Sequence, residues 1–284
     1  MTKKILITGS RGFIGSALTE HLRQKGYQVI GTHRGTQKGK PDEILLEPFK
    51  KIELAKHEDV EGVIHLAGKY LIGGNLEDTA KMYESNIGLT SSLLELVKVH
   101  NLPIVAAGTF FERSNEVKTK LDSYVLAKSN ARKILKRETL ISDAKVAILF
   151  LYDNYSSNLS RGKFLDQVLK AAMSGERIKA SSGNQVIDLM HILDVCESFE
   201  LALEALVEND TNYLEMQARS HKVLTLREVA ELIENRIGRQ IVEWGAVADR
   251  DNSIFSLWDS AQDVPNFQSK IELGDFVKES LDGD

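Results

Sequence analysis

Lys3-Lys4-Ile5-Leu6-Ile7-Thr8-Gly9-Ser10-Arg11-Gly12-Phe13-Ile14-Gly15 is the stretch that decides the fold. Its first half, Lys3–Thr8, is a short apolar run (Ile5, Leu6, Ile7) that ends at a glycine, as in a strand buried within a parallel sheet. From Phe13 to Lys25 the apolar residues Ile14, Ala17, Leu18 and Leu22 recur at helical spacing, and Gly26 stops the helix. Gly9, Gly12 and Gly15 therefore lie where a strand turns into a helix, spaced G-x-x-G-x-x-G. Glycines there allow a tight turn and let a pyrophosphate approach backbone N–H groups at the positive end of the helix. The strand–loop–helix context makes this a dinucleotide site rather than a bare glycine-rich turn.

Outward from this unit the alternation continues. Tyr27–Thr32 reads as a second strand, followed by a loop marked by Gly35, Gly39 and Pro41. Gly62–Ala67 is a strand, Glu77–His100 a long helix, Pro103–Ala107 a strand, Leu121–Leu140 a helix and Lys145–Leu151 a strand. Strands alternating with helices predict βαβ units, right-handed crossovers and helices on both faces of the sheet. The fold class is α/β, a Rossmann-like doubly wound parallel sheet. Beyond about residue 152 the texture changes. Helices are expected over Phe164–Gly175, over Asp194–Glu208 with Asp194 as N-cap, and over Thr225–Ile237 with a Thr225/Glu228 capping box. The tail is irregular from Trp244 until a last helix near Asp275–Leu281. The expected organisation is a cofactor domain over 1–155, with a return of the chain near 185–210, and a smaller C-terminal substrate lobe over 156–284.

The chain has 284 residues, 36 basic and 41 acidic, for a net charge of −5. That balance argues against a nucleic-acid partner, which needs a basic face for phosphates. The single cysteine, Cys196, cannot form an intrachain disulfide. Neither it nor His65 and His191 show metal-ligand spacing, so no metal is expected. No apolar run reaches the roughly 18 residues of a membrane span, and no signal-peptide core follows Lys3 and Lys4. A cytoplasmic location is the expectation.

The second strand closes as Ile30-Gly31-Thr32-His33-Arg34, without the carboxylate that would hold a ribose 2′-hydroxyl in an NAD site. Arg34, with His33 and with Arg11 of the glycine loop, suits a 2′-phosphate through charge-assisted hydrogen bonds. NADP(H) is expected in preference to NAD.

Thr8-Gly9-Ser10-Arg11-Gly12-Phe13-Ile14-Gly15, His65-Leu66-Ala67-Gly68, Asn86 and Tyr124-Val125-Leu126-Ala127-Lys128 together resemble the extended short-chain dehydrogenases, the NAD-dependent epimerase/dehydratase group. In the second half, Gly183–Asp188 with His191, Asp194 and Val195, then Leu224–Glu228, then Trp244, Gly245 and Arg250, extend the resemblance over essentially the whole chain. Gly108–Glu112, Tyr152–Tyr155, Arg161 with Lys163, and Trp244–Arg250 are similar to the CDP-abequose and CDP-paratose synthases. That narrower likeness implies NADPH-dependent reduction of the 4-keto group of a nucleotide-activated deoxysugar, CDP- or dTDP-linked, as in surface-polysaccharide sugar biosynthesis. The resemblance also implies cofactor contacts from Gly9, Arg11, Gly12, Phe13, Ile14, Gly15, Leu66, Ala67, Gly68 and Lys128. It allows a homodimer through the helices flanking the central strands.

Tyr124 and Lys128 stand at i and i+4 on a predicted helix and share one face. A phenol near an ammonium is expected to titrate below its ordinary value of about 10, which would make Tyr124 a usable proton donor. Lys128 would also hold ribose hydroxyls. The family usually places a Ser or Thr just after the preceding strand. Here that position is Ala107, so Thr109 is the nearest hydroxyl for the substrate oxygen. The Asp-Glu pair of dehydratases is missing from Gly108–Phe111, and Glu112 reads as a structural residue. Arg161, Lys163 and Arg250 are candidates for the nucleotide diphosphate, and Phe110 for a wall of the sugar pocket. His65 reads as a satisfied core histidine and His191 as structural. Two alternatives stay open: a nucleotide-sugar epimerase using bound NAD, and a non-catalytic NADP(H)-binding protein of the same fold.

Overall fold

The computed structural model describes residues 3–35, 38–54, 57, 59–71, 75–113, 122–250 and 253–283. The chain divides into two compact units: Met1–Leu151 with Val195–Ala218 and Asp259–Phe267, and Tyr152–Asp194 with Arg219–Trp258 and Gln268–Asp284.

The first unit is built on β1 (Lys4–Thr8), α1 (Phe13–Gln24), β2 (Gln28–His33), β3 (Glu43–Leu45), β4 (Gly62–His65), α2 (Leu76–Tyr83), α3 (Leu89–His100), β5 (Ile104–Thr109), α4 (Asp122–Glu138) and β6 (Val146–Leu151). In the second unit follow β7 (Asp153–Tyr155), α5 (Phe164–Ser174), β8 (Ile178–Lys179) and β9 (Val186–His191). The chain then runs through α6 (Ile192–Glu208), β10 (Tyr213–Ala218), β11 (Val223–Thr225), α7 (Leu226–Ile237), β12 (Val242–Glu243), β13 (Gln262–Asp263) and α8 (Leu273–Asp282).

Eight strands form one sheet in the order β13-β10-β6-β5-β4-β1-β2-β3, and every pairing in it is parallel. A parallel sheet with helix crossovers is covered on both faces, which is why its strands are continuous apolar runs rather than alternating ones. Ile5, Leu6 and Ile7 are at most 2% exposed, and all six residues of β6, Val146-Ala-Ile-Leu-Phe-Leu151, are buried. The doubly wound Rossmann-like sheet is the fold that the glycine stretch predicts.

Three local features differ from the sequence expectation, and one expected helix start falls outside the described residues. The long helix at 77–100 is broken by a π-helical turn, Glu84–Gly88, which joins α2 to α3. Leu121, expected to start α4, lies outside the described residues. β3 and β13 are short edge strands in segments read as loop. Helix α6 begins at Ile192, so Asp194 lies in its first turn and is not the N-cap. The Asp194 carboxylate instead accepts hydrogen bonds from Ser269 Oγ (2.9 Å) and the amides of Lys270 and Ile271 (3.0 and 3.1 Å).

The second unit has its own core, in which Leu165, Val168 and Leu169 of α5 meet Val229, Ala230 and Ile233 of α7 and Phe276 and Val277 of α8. Thr225 caps α7 as expected: its Oγ1 accepts from the Glu228 amide at 3.1 Å, and Glu228 accepts from the Thr225 amide at 2.6 Å. His191 packs against the rings of Tyr155 and Phe276, a structural role. Among the described residues no helix is long and apolar enough to cross a membrane.

Candidate active site

The glycine loop is shaped by close backbone approach. Gly9 has φ +69°, and the Gly12 amide donates to its carbonyl at 2.8 Å. A Cβ on Gly15 would lie 2.1 Å from Gly9 O, so α1 can start against the loop only with glycine there. Ser10 and Thr32 tie the loop to β2: the Gly9 amide donates to Thr32 Oγ1 and the Thr32 amide to Ser10 Oγ, both at 3.1 Å.

Above this loop an open groove of about 240 Å³ is lined by Gly9, Arg11, Gly12, Thr32, His33, Arg34, Leu46, Leu66, Ala67, Gly68, Ser85 and Leu89. Phe13 and Ile14 open α1 behind Gly12, its N-cap and part of the groove lining, so the positive end of the helix lies beside the groove. The backbone that needs no Cβ, the amide end of α1 and the cations at the outer rim fit a dinucleotide cofactor. Arg34 is exposed and makes no side-chain bond among the described residues. His33 Nδ1 lies 3.0 Å from Arg34 O. Arg11 is engaged: its Nε donates to Glu43 Oε1 at 2.8 Å, and its Nη2 contacts Glu43 Oε2 and Lys38 O. Glu43 pairs with Gly31 across β2 and β3. A carboxylate thus does reach the end of β2, supplied by the neighbouring strand, and Arg11 with the Lys40 amide (2.9 Å) occupies its oxygens.

Below the groove runs a chain of hydrogen bonds whose direction the partners dictate. Thr8 Oγ1 accepts from the Leu66 and Ala67 amides, both at 3.1 Å, so its proton points to His65 Nδ1 at 2.7 Å. Thr90 Oγ1 donates to Asn86 O at 2.7 Å, so His65 Nε2, 3.0 Å away, is the donor to Thr90. The neutral imidazole is fully satisfied, and a second ring proton would find no acceptor. Burial, with the Lys128 charge second, pushes His65 down to about 3. The unfolded chain protonates this histidine near its ordinary 6.5. Stability should therefore fall as pH drops from about 6.5 towards 3, by up to about 1.4 kcal/mol per pH unit. Urea unfolding between pH 7 and 4 should show this slope, and H65Q should flatten it.

Tyr124 and Lys128 lie on α4, and both are partly buried. Lys128 Nζ donates to Ala107 O at 2.7 Å. Burial lowers Lys128, against the pull of Glu112. Tyr124 is corrected relative to the sequence expectation: burial, then Glu112 and Tyr70, push its phenol above the ordinary value. One of the three Lys128 N–H groups is committed to the Ala107 carbonyl. The Tyr124 phenol thus keeps its proton through neutral pH. The Tyr70 ring meets it edge-on at 4.8 Å. Thr109, two residues past Ala107 on β5 and hence on the same face of the strand, is 8% exposed. Its hydroxyl has no partner among the described residues.

Phe110 is 4% exposed and stacks on Phe111 at 4.1 Å. It is a core residue rather than a pocket wall. Arg161 Nη1 donates to Asn154 O and Oδ1 at 3.0 and 2.6 Å, and Lys163 Nζ lies 3.7 Å from Asp153. Arg250 is exposed and makes no side-chain bond among the described residues. Asp188 accepts from Arg219 Nε at 2.9 Å and from the Ser220 and His221 amides at 2.8 and 3.1 Å, all within the second unit. The described residues contain no cluster of metal-ligating side chains.

The model of the NAD dependent epimerase/dehydratase family matches residues 5–214. The chain belongs to this family. It is an enzyme of the NAD(P)-dependent oxidoreductase type. A CDP-abequose synthase from Salmonella muenchen is 26% identical over 264 residues, covering 89% of this chain and 88% of that protein. A CDP-abequose synthase from Yersinia pseudotuberculosis is 26% identical over 246 residues, 81% of this chain and 82% of its own. Among solved structures, MoeE5 in complex with UDP-glucuronic acid and NAD is similar with a TM-score of 0.79 at 19% identity, over 98% of both chains.

Beside the residues expected of an epimerase/dehydratase member, three groups shape the site without a motif that announces them. Glu43 comes from an edge strand that carries no pattern of its own. Asn86 belongs to the family resemblance but carries no role by its spacing. Its Nδ2 donates to Lys69 O and Met82 O, both at 2.9 Å, while its Oδ1 is buried without a hydrogen bond. A Cβ on Gly68 would come within 2.6 Å of that oxygen. Glu112, read as structural, shares a cavity with Lys128.

Proposed function

We propose that this chain is an NADPH-dependent reductase of the 4-keto group of a nucleotide-activated deoxysugar, CDP- or dTDP-linked. The observation that carries the reading is the half-buried Tyr124 phenol, one helical turn from the Lys128 ammonium on α4. Similarity to the CDP-abequose synthases supports the substrate class. Bound nicotinamide supplies the hydride. Tyr124 supplies the proton to the former carbonyl oxygen, and Lys128, pinned to Ala107 O, keeps a positive charge close by. Thr109 offers its unpartnered hydroxyl to the same oxygen, two residues from the usual position. Arg250 pairs the diphosphate, with Arg161 and Lys163 as further cations. Dehydration would need an acid–base pair that Gly108–Phe111 lacks.

Arg34 carries the NADPH preference, because Arg11 is already spent on Glu43. R34A should weaken NADPH binding about 10-fold, the loss of one charge-assisted pair, and leave NADH binding unchanged. Fluorescence titration with both cofactors checks this. An epimerase using bound NAD is the second reading, favoured by Glu43, a carboxylate beside the end of β2. The two separate in one assay with CDP- and dTDP-4-keto-6-deoxysugars. A reductase consumes NADPH in proportion to product. An epimerase exchanges isotope without net cofactor oxidation. No turnover of any of these by folded protein would sink both.

A further inference from the structure

Glu112 is the buried carboxylate at one end of an ion ladder that no substrate or cofactor role accounts for. Its side chain is 1% exposed. One oxygen accepts from the Thr109 amide at 3.1 Å, the other from Arg132 Nε at 2.9 Å. Arg132 Nη1 continues to Glu215 Oε1 at 3.0 Å, which also accepts from Tyr213 OH at 2.5 Å, and Arg113 closes on the other Glu215 oxygen. The ladder ties the end of β5 to α4 and to β10. Glu112, Arg132 and Lys128 line one cavity of about 20 Å³, with His65, Asn86 and Ala107. That is room for about one water.

A negative charge this well clamped, at a catalytic lysine, has two consequences. It holds the β5 terminus, and with it Thr109, at a fixed distance from α4. It also acts electrostatically on both members of the pair, since the interior screens it weakly. We propose that Glu112 is the positioning residue of this site: through the Thr109 amide and Arg132 it fixes β5 against α4, and it sets a buried negative charge in the cavity that Lys128 lines. The proposal rests on the reading of Tyr124 and Lys128 as the proton-transfer pair. Burial lowers Lys128 and the Glu112 charge opposes that; the same charge reinforces the rise at Tyr124. The effect on the pair has one sign: removing the charge eases loss of the first proton from whichever group holds it less tightly.

The other charged or titratable groups facing the pair leave this sign intact. His65 of β4 is neutral by its hydrogen bonds. Tyr70 meets Tyr124 edge-on. Arg132 and Arg113 are compensated by Glu112 and Glu215, and Tyr213 donates its proton to Glu215.

The test follows the ¹³Cζ signal of Tyr124 in tyrosine-labelled, NADP⁺-loaded protein, assigned by its loss in Y124F. E112Q should move the Tyr124 titration down by about one pH unit. E215Q removes a carboxylate from the far end of the same ladder and should leave the titration in place, although it too destabilises the fold. An unmoved titration in E112Q, or an equal move in E215Q, would overturn the proposal. If E112Q does not fold, E112D keeps the charge but withdraws it by one methylene, and a smaller downward move is expected. A folded E112D with an unmoved titration, or failure of both variants to fold, assigns Glu112 to stability alone and overturns the proposal. In turnover with a CDP-4-keto-6-deoxysugar, the alkaline limb of kcat should fall with the titration. Full turnover by Y124F would instead refute the proton-donor reading, and the NMR titration would still report on Glu112.

Discussion

Y124F should lower NADPH-dependent reduction by about 10²–10⁴-fold, the usual share of a positioned general acid, and leave cofactor affinity unchanged. The ring stays, with its edge-on contact to Tyr70, and only the phenolic oxygen is lost. The loss should fall on kcat and on kcat/KM alike, because the proton is given only as the carbonyl is reduced. The pH profile has a sign as well. Burial, Glu112 and Tyr70 hold the phenol above its ordinary value, so reduction should persist through neutral pH and decline only well into the alkaline range. Single-turnover hydride transfer, followed by loss of NADPH absorbance, checks both. A Y124F variant that retains most of the rate would refute the assignment of Tyr124 as the proton donor.

The second large effect belongs to Gly15. The Cβ of G15A would sit 2.1 Å from Gly9 O and 2.8 Å from Ser10 Cα. Both are backbone neighbours, so nothing flexible can give way, and α1 must move off the glycine loop. Overpacking of this kind costs about 1–3 kcal/mol, and the displaced loop no longer presents its amides to the groove. NADPH binding should fall below detection, and the melting temperature should drop by several degrees. G274A is the matched control. A Cβ there meets nothing within 4 Å, and alanine is the better helix former in α8, so stability should hold or rise. Thermal melts with and without NADPH separate the two variants. Equal behaviour would refute the steric account of the loop.

The fold was legible in the sequence where composition and spacing act locally. The run Ile5-Leu6-Ile7 before three spaced glycines admits little besides a buried strand feeding a helix, and Tyr124 and Lys128 share a helix face by their spacing. What was not legible depends on partners distant in the chain. Asp194 has the chemistry of an N-cap, yet its carboxylate is claimed by Ser269–Ile271, so α6 starts two residues earlier. Gln262-Asp263 has no strand character and becomes β13 because the edge of β10 offers unpaired backbone groups. Glu112 resembles a stray loop carboxylate until the fold brings Arg132 and Glu215 to it. Along the chain, no acid closes β2 at Ile30–Arg34. Across the sheet one reaches it, because Glu43 enters from β3.

The sheet order has a consequence during synthesis. β6 lies between β5 and β10, and its six buried residues, Val146–Leu151, carry no charge and no proline. β10 begins only at Tyr213, roughly sixty residues later, which takes about 3–12 s at ribosomal speeds. Through that interval β6 is an open edge on the nascent sheet, with the composition that pairs readily with other chains. β13, at Gln262–Asp263, caps the β10 side later still. Yield in a cell should therefore depend on translation speed across 152–212 and on chaperone supply, even for a sequence whose finished fold is stable.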